Sequence, residues 1–184
     1  MSIILLGLNY KSAPVEIREK VSMSKSNIKR NLEFLQQMES VDGIAVLSTC
    51  NRTEFYMDAR DGSKAVKGLM KFISWYSKCP TELLEQHMYV KREREAVKHL
   101  FTVAAGLDSM ILGESQIQGQ VQDAYNYALE YRLSNNVINT LLMSALTLGK
   151  RVRTETYIDR QAVSISSAAV ELAKQELGTL DGKT

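Results

Sequence analysis

The sequence has few of the residues that define disulfide-rich, zinc-binding or secreted proteins. Its 184 residues include two cysteines, two histidines and two prolines. Cys50 and Cys79 are too few for a disulfide framework, and no CxxC pair is present. With only His87 and His99 to complete a ligand set, no metal site is expected. These shortages favour a protein of a reducing, cytoplasmic compartment.

Long apolar runs and an excess of one charge are missing as well. The N-terminal apolar run covers only residues 3–6 and lacks the basic flank of a signal peptide. No stretch approaches the roughly 20 apolar residues that span a bilayer. The 23 basic and 21 acidic residues give a net charge of +2, which neither indicates nor excludes a nucleic-acid ligand. We expect a soluble chain without membrane contact.

The first 91 residues alternate between short apolar runs and amphipathic stretches. Strands are predicted at 3–8, 44–47, 54–59 and 88–90, and helices from Ser24 to Met38 and from Val66 to Tyr76. The order β-α-β-β-α-β is the split βαβ pattern of ferredoxin-like α+β folds, with an antiparallel sheet. From residue 93 onward the pattern is helical, and helices are predicted at 93–104, 117–131, 137–154 and 163–177.

One cysteine lies in a segment suited to chemistry. Ser48 to Thr53 connects two predicted strands with polar residues around Cys50. Cysteine reacts as a thiolate, and a nearby cation such as Arg52 favours that form. Arg52 is equally suited to grip a carboxylate with two hydrogen bonds. The alternative is that Cys50 is an inert residue at the end of a strand.

The remaining candidates have plainer interpretations. Cys79 precedes a proline at a helix end, and His87 is expected to begin the last strand, so both are interpreted as structural. His99 lies among apolar helix residues, where a histidine is more often part of the core than a base. Residues 106–120 hold three glycines with many amides and hydroxyls, which is unusual for a simple connection between helices. Lys150 to Arg153 is a short basic cluster near a helix end.

Several of these segments together resemble the glutamyl-tRNA reductase family. The matching segments are Gly7 to Pro14, Ser48 to Glu54, His99 to Phe101 running into Ala104 to Ser109, Leu112 to Ile117 and Gly149 to Thr156. They occur in order over almost the whole chain. The resemblance implies an oxidoreductase of tetrapyrrole (porphyrin and heme) biosynthesis, which uses NADPH to reduce the glutamyl group of glutamyl-tRNA to glutamate-1-semialdehyde.

The resemblance also implies roles for individual residues. Cys50 would attack the aminoacyl ester and form a thioester, and His99 matches a histidine linked to activity. The residues expected to hold the glutamyl group are Thr49, Asn51, Arg52, Ser109, Glu114, Ser115, Gln116 and Gln120, with Arg52 on the side-chain carboxylate and Glu114 on the α-ammonium group. Tyr10 stands where the family commonly has histidine.

The domain plan of the family implies three parts for this chain. Residues 1–91 would form the ferredoxin-like part of a catalytic domain, 92–156 its helical part, and 157–184 the start of a linker (spinal) helix. The NADPH-binding and dimerisation domains would lie outside the chain, so no NADPH-binding residue is expected within it. A homodimer and a hand-off of the aldehyde to an aminotransferase are the further expectations.

Two other functions compete with this interpretation. The split βαβ fold is shared with RNA-binding modules of the RRM type, whose strands carry a dense aromatic signature. Here Phe55 and Tyr56 are adjacent and should face opposite sides of the sheet. A purely structural helical scaffold would leave both the Cys50 segment and residues 106–120 unexplained.

Overall fold

The computed structural model describes residues 2–156, 158, 170, 172–176 and 178. Four strands form one antiparallel sheet in the order β2-β3-β1-β4. Their bounds are Ser2–Asn9 (β1), Val41–Ser48 (β2), Arg52–Ala59 (β3) and Tyr89–Arg92 (β4). This order is that of a ferredoxin-like sheet, so the predicted α+β class and split βαβ pattern are confirmed.

A first helix layer covers one face of the sheet. It contains α1 (Val15–Val21), α2 (Lys25–Arg30), α3 (Leu32–Gln36), α4 (Gly62–Ser77) and α5 (Thr81–His87). Alternate strand residues such as Ile4, Leu6 and Phe55 pack with these helices into one apolar core. Side chains two residues apart point to the same face of a strand, which explains the pattern.

The first helix layer differs from the sequence prediction in three places. The helix predicted from Ser24 begins with the expected Ser24 cap, but Asn31 divides it into α2 and α3. The seven-residue helices α1 and α5 were not predicted. His87 was expected to begin β4 but ends α5, where its Nδ1 donates to the Ser12 carbonyl at 2.8 Å. That bond holds the His87 ring against the Ser12 carbonyl, in the segment between β1 and α1.

A second helix layer covers the opposite face of the sheet. It consists of α6 (Glu93–Ala104), α7 (Gln116–Glu130) and α8 (Asn136–Glu155), which confirms three of the four helices predicted for this half. The fourth, at 163–177, lies largely outside the described residues. Leu5, Leu47 and Tyr56 pack with these helices into a second apolar core. No helix in the described part of the chain is long and apolar enough to cross a membrane.

Both faces of the sheet are therefore covered by helices. Phe55 packs into the first core and Tyr56 into the second, so the two rings face opposite sides as predicted. An RRM binds RNA on an open sheet face. Within residues 2–156 the corresponding face carries α6, α7 and α8, which leaves that mode of binding no surface.

Candidate active site

Cys50 lies at the tip of a tight turn between β2 and β3. The Thr49 hydroxyl accepts hydrogen bonds from the backbone amides of Asn51 at 3.1 Å and Arg52 at 3.2 Å. The Tyr10 amide donates to the Asn51 carbonyl at 2.8 Å, which ties the turn to the end of β1. Cys50 is a free, exposed thiol, and its sulfur makes no hydrogen bond within the described residues. The turn presents the thiol to solvent on a rigid support.

The strand that follows this turn, β3, carries a buried cluster of charged and hydroxyl groups centred on Glu54. Its carboxylate accepts hydrogen bonds from Arg52 Nη1 at 2.9 Å and His99 Nε2 at 2.7 Å. The hydroxyls of Tyr56 and Tyr89 donate to it at 2.6 Å each. Glu54 is fully buried, and the Arg52 side chain is 1% exposed. Four donors on one carboxylate satisfy a charge that would otherwise be costly to bury.

The small residue opposite Glu54 makes room for this cluster. Gly7 pairs with Glu54 across β1 and β3. A Cβ atom on Gly7 would lie 2.8 Å from Glu54 Cγ and 2.9 Å from the Thr53 carbonyl oxygen. Both distances are too short for carbon contacts, so Gly7 is the residue that lets the Glu54 side chain lie over β1.

The charges of the cluster shift the pKa values of its members. Burial opposes ionisation of Glu54, but the hydrogen bond from His99 and the charge of Arg52 outweigh it and lower the pKa of Glu54 to about 2. Burial likewise opposes the Arg52 charge, yet Glu54 raises the pKa of the guanidinium overall. Burial and the Glu54 charge raise the pKa of Tyr56 and Tyr89, so both remain hydroxyl donors. At neutral pH the cluster holds an ionised Glu54 that can only accept.

This protonation state assigns the tautomer of His99. Because the ionised Glu54 carboxylate only accepts, His99 Nε2 carries the proton in the 2.7 Å bond. His99 Nδ1 is then the ring atom left for proton exchange with another group. The His99 side chain is 12% exposed, so the ring lies at the border between the buried cluster and solvent.

The loop of residues 105–115, between α6 and α7, closes over Arg52. Arg52 Nη2 donates to the Asp108 carbonyl at 2.6 Å and to its carboxylate at 3.1 Å. Lys11 contacts the same carboxylate at 2.5 Å. Burial would raise the pKa of Asp108, but Lys11 and Arg52 lower it overall. The loop is pinned at its neck, where the Gly113 amide donates to the Gly106 carbonyl at 2.9 Å.

The two neck glycines need their lack of a side chain. Gly106 and Gly113 have φ angles of +77° and +79°, in the region that favours glycine. A Cβ atom on Gly113 would also collide with the Ile158 carbonyl oxygen. The glycines noted in the sequence therefore shape the turn that brings Asp108 onto Arg52.

The other predicted site residues lie either in the loop of residues 105–115 or in the first turns of α7. Ser109 lies in the loop, where its carbonyl accepts the Tyr10 hydroxyl at 3.5 Å. Glu114, Ser115 and Gln116 stand at the start of α7, and within the described residues the Glu114 carboxylate has no hydrogen bond or ion pair. Gln120 is one turn further on and lines a cavity of about 180 Å³ with Ser48, two residues before Cys50.

Four residues of the cluster were not among the predicted site residues: Glu54, Tyr56, Tyr89 and Asp108. One signal was available in β3, where Arg52, Glu54, Tyr56 and Asp58 alternate with Thr53, Phe55, Met57 and Ala59. Such a polar stripe in a strand that is buried on both faces indicates a buried polar cluster. Asp108 had no comparable signal, because it is 56 positions from Arg52.

The arrangement combines an exposed thiol with a buried cation and a histidine, which are groups that acyl transfer to a thiol can use. Among the described residues no group of three or more His, Cys, Asp or Glu side chains is placed to hold a metal ion. The sheet is antiparallel, and residues 2–156 contain no strand followed by a GxGxxG loop and a helix, the unit that cradles a dinucleotide. The residues present therefore do not fit NADPH.

The remaining polar candidates have structural partners. Cys79 is buried and its amide bonds to the Ser77 hydroxyl. In the basic cluster on α8, Arg153 donates to the Glu114 carbonyl at 2.8 Å and so joins α8 to the start of α7. These contacts support the fold around the site.

Known proteins resemble this chain in sequence and in structure. The profile of the family described as glutamyl-tRNA(Glu) reductase, N-terminal domain, matches residues 6–156. The whole chain is 50% identical to a glutamyl-tRNA reductase of Pelotomaculum thermopropionicum and 47% identical to one of Heliobacterium mobile, and it spans 41% and 42% of their lengths.

A solved structure agrees with these matches. The glutamyl-tRNA reductase from Methanopyrus kandleri superposes with a TM-score of 0.71 at 36% identity, covering 96% of this chain and 40% of that one. The chain thus spans about two fifths of the length of each relative. On the sequence match and the shared fold, the chain belongs to the glutamyl-tRNA reductase family and corresponds to its N-terminal domain.

Proposed function

We propose that this chain supplies the thiol of a glutamyl-tRNA reductase, and that Cys50 accepts the glutamyl group of glutamyl-tRNA as a thioester. The observation that carries the proposal is the exposed Cys50 on a rigid turn next to the buried Arg52 and Glu54 pair. The family membership and the relatives' printed names support the same substrate.

The thioester step exchanges one acyl bond for another. The Cys50 sulfur attacks the carbonyl carbon of the aminoacyl ester, a C–S bond forms, and the C–O bond to the terminal ribose breaks. The proton that leaves the thiol ends on the released ribose oxygen, so no oxidant or reductant is needed. A thioester accepts hydride more readily than an oxygen ester, so the thiol divides one difficult reduction into two easier steps.

Recognition of glutamate needs a cation for its side-chain carboxylate, and we assign this role to Arg52. In the structure Arg52 Nη2 is already bonded to the Asp108 carboxylate at 3.1 Å. A substrate carboxylate would take the place of Asp108, which remains paired with Lys11. We assign Thr49, Asn51 and Ser109 to the approach to the site. Glu114 and Ser115 would contribute from the end of the 105–115 loop and Gln116 and Gln120 from α7, with Glu114 for the α-ammonium group.

We assign His99 to proton transfer at Nδ1. Its Nε2 is held by Glu54, which fixes the ring and keeps the proton on that nitrogen. Nδ1 can then accept the proton that leaves the Cys50 thiol and return it to the leaving ribose oxygen. In this role Glu54 orients the histidine, in addition to balancing the charge of Arg52.

The later steps belong to the longer protein. Reduction of the thioester to glutamate-1-semialdehyde requires a hydride donor, for which we propose NADPH held outside the described residues. We assign no residue of this chain to that cofactor. A homodimer, transfer of the aldehyde to an aminotransferase, and a cytoplasmic location complete the proposal. The proposal also divides the chain into the ferredoxin-like part of a catalytic domain at 1–91, its helical part at 92–156 and the start of a linker helix at 157–184.

The test is a single-turnover incubation with glutamyl-tRNA labelled in the glutamyl group, followed by acid quench. We expect label on the protein that hydroxylamine removes, in the unmodified chain and in Cys79→Ser, but none in Cys50→Ser. Cys79 is the matched control, since it is the other cysteine and is buried. Equal labelling of the Cys50→Ser variant, or no adduct in any variant, would contradict the proposal.

A further inference from the structure

Helix α4 presents an exposed stripe of cations and one aromatic ring. Lys64, Lys67, Lys71, Trp75 and Lys78 are all exposed. Lys64, Lys67, Lys71 and Trp75 are spaced three, four and four residues apart, so they share one face of the helix, and Lys78 follows as its C-cap residue. No aspartate or glutamate occurs within Gly62–Ser77. We call this stripe and the groove beside it the α4 face.

The groove of the α4 face has a volume of about 760 Å³ and lies beside the exposed stripe. The rings of Phe34 and Phe72 stack in its wall with centroids 4.4 Å apart, and Phe72 lies 6.1 Å from Trp75. Trp75 is 71% exposed, which is unusual for the largest side chain of the alphabet. Gly68 forms part of the lining, and a Cβ atom there would meet nothing within 4 Å.

The α4 face concentrates the positive charge of the chain. The segments 24–39 and 61–78 together contain seven basic and three acidic residues, whereas the whole chain has 23 and 21. Of the stripe lysines, Lys64 lies 3.8 Å from Glu39. Within the described residues Lys67, Lys71 and Lys78 form no ion pair with a carboxylate. The rest of the chain is therefore net negative. The groove itself is lined by Arg30, Lys64 and Lys71 and by Glu33 and Glu39, so the excess of positive charge lies on the lysine stripe beside it.

This combination fits RNA better than a protein partner. Protein interfaces are depleted of lysine at their centres. Proteins that bind single-stranded nucleic acid combine a cationic groove for phosphates with exposed aromatic rings on which bases stack. The lysines and Trp75 supply these two elements on one helix face.

The α4 face also leads toward Cys50. Helix α4 starts beyond the far end of β3 and ends at Ser77. Near that end the Tyr76 hydroxyl donates to the Ser22 carbonyl at 2.8 Å. The Ser22 hydroxyl is 3.5 Å from that of Ser48, two residues before Cys50. The helix is about 24 Å long at 1.5 Å per residue, which is several nucleotides of an RNA strand.

We infer that the α4 face binds the acceptor arm of the aminoacyl-tRNA, with phosphates on the lysines and a base on Trp75, so that the charged end reaches Cys50. The inference rests on the proposed function. It adds a binding surface on the first helix layer, which is separated from the Glu54 cluster by the sheet.

The first test uses the fluorescence of Trp75, the single tryptophan of the chain. Titration with uncharged glutamate-accepting tRNA, and with a minihelix of its acceptor arm, should quench the emission in parallel with the rise in anisotropy of labelled RNA. Binding by anisotropy without any change in emission would place the RNA elsewhere and overturn the inference.

The second test uses charge changes that do not disturb packing. Lys71→Glu and Gly68→Glu should each weaken RNA binding at least tenfold, and Lys71→Ala should lower the slope of log affinity against log salt by roughly 0.7 to 0.9. Arg94→Glu, at an exposed position of α6 on the opposite layer, changes the charge as Lys71→Glu does and should bind RNA normally. Equal affinities for all variants would overturn the inference.

The outcomes separate this inference from the proposed function. A Cys50 adduct that forms equally well in Lys71→Glu at low tRNA concentration would leave the thioester proposal intact and remove the α4 face. RNA binding at the α4 face without any Cys50 adduct would keep the α4 face as a binding surface and contradict the thioester proposal. Concentration-dependent self-association that Gly68→Glu abolishes, in the absence of RNA binding, would show that a second copy of the chain occupies the groove.

Discussion

At the scale of single residues, Glu54 joins the parts of the site that lie far apart in the sequence. Its partners Arg52, Tyr89 and His99 come from β3, β4 and α6. Removal of one member of a buried ion cluster leaves the others uncompensated, which typically costs about 3 to 5 kcal/mol. Glu54 is therefore as important for the stability of the fold as for the orientation of the Arg52 and His99 side chains.

Replacement of Glu54 by glutamine should lower the free energy of unfolding by about 3 kcal/mol at pH 7, because Arg52 loses its buried counter-charge. Urea denaturation followed by far-UV circular dichroism measures this change. Glu155→Gln is the matched control, since Glu155 pairs with Arg151 on the surface and its loss should change little. A Glu54→Gln variant as stable as the control would show that the cluster contributes no net stability.

The acid dependence of stability should carry the signature of Glu54. Its pKa is about 2 in the folded chain, against an ordinary value of 4.5 that also applies to the unfolded chain. A lowered pKa gives stability that is complete above pH 4.5 and is lost as pH falls toward 2, on the order of 3 kcal/mol. Unfolding free energies measured between these two pH values and at neutral pH should fall less steeply in Glu54→Gln than in the unmodified chain. Parallel curves would contradict the assignment.

The residue scale also shows how far sequence reasoning reaches into the site. Cys50 and Arg52 were identified because they are neighbours in a polar segment, and a local pattern of this kind is readable. Glu54 and Asp108 were missed because their importance comes from contacts with residues 45 and 56 positions away. The roles of the predicted site residues remain predictions until the adduct is measured.

At the scale of secondary structure elements, the close pairing of β1 and β3 depends on a residue without a side chain. Gly7→Ala should lower the unfolding free energy by about 2 kcal/mol, because its Cβ would meet the Thr53 carbonyl at 2.9 Å and displace Glu54. Gly68→Ala, on the open face of α4, should raise it by about 0.5 to 1 kcal/mol. Thermal melting of both variants gives the comparison, and a stabilising Gly7→Ala would show that β1 and β3 separate easily.

The elements recovered from the sequence are those with long, regular patterns. The four strands and α6, α7 and α8 were predicted because apolar residues recur at strand or helix spacing over many residues. The helices α1 and α5 have seven residues each, too few for a helical repeat to be visible. Asn31 breaks α2 from α3 where the apolar spacing continues, so the pattern alone could not show the break.

At the scale of the whole molecule, one sheet serves two apolar cores. Leu5 and Tyr56 belong to the core with α6, α7 and α8, while their chain neighbours Leu6 and Phe55 belong to the core with α4. Neither core can lose its packing without exposing strand residues that support the other. We therefore expect residues 2–156 to unfold as one cooperative unit.

Leu142→Ala tests this expectation, because Leu142 is buried in the second core on α8. The change should cost about 2 to 5 kcal/mol and should speed amide hydrogen exchange in α4, on the opposite layer, by the same factor as in α8. Exchange measured by mass spectrometry on peptides of both helices gives the result. Faster exchange confined to α6, α7 and α8 would show that the layers are independent.

The long sequence separations within the Glu54 cluster have a consequence for synthesis on the ribosome. When β1, β2 and β3 have emerged, Arg52 and Glu54 have only each other and Tyr56 as partners. His99 emerges 45 residues after Glu54, and Asp108 emerges 56 residues after Arg52. A nascent chain thus carries Cys50 before the residue to which we assign proton transfer, His99, is present. The thiol becomes part of a formed site only when α6 docks, so the site matures in step with translation.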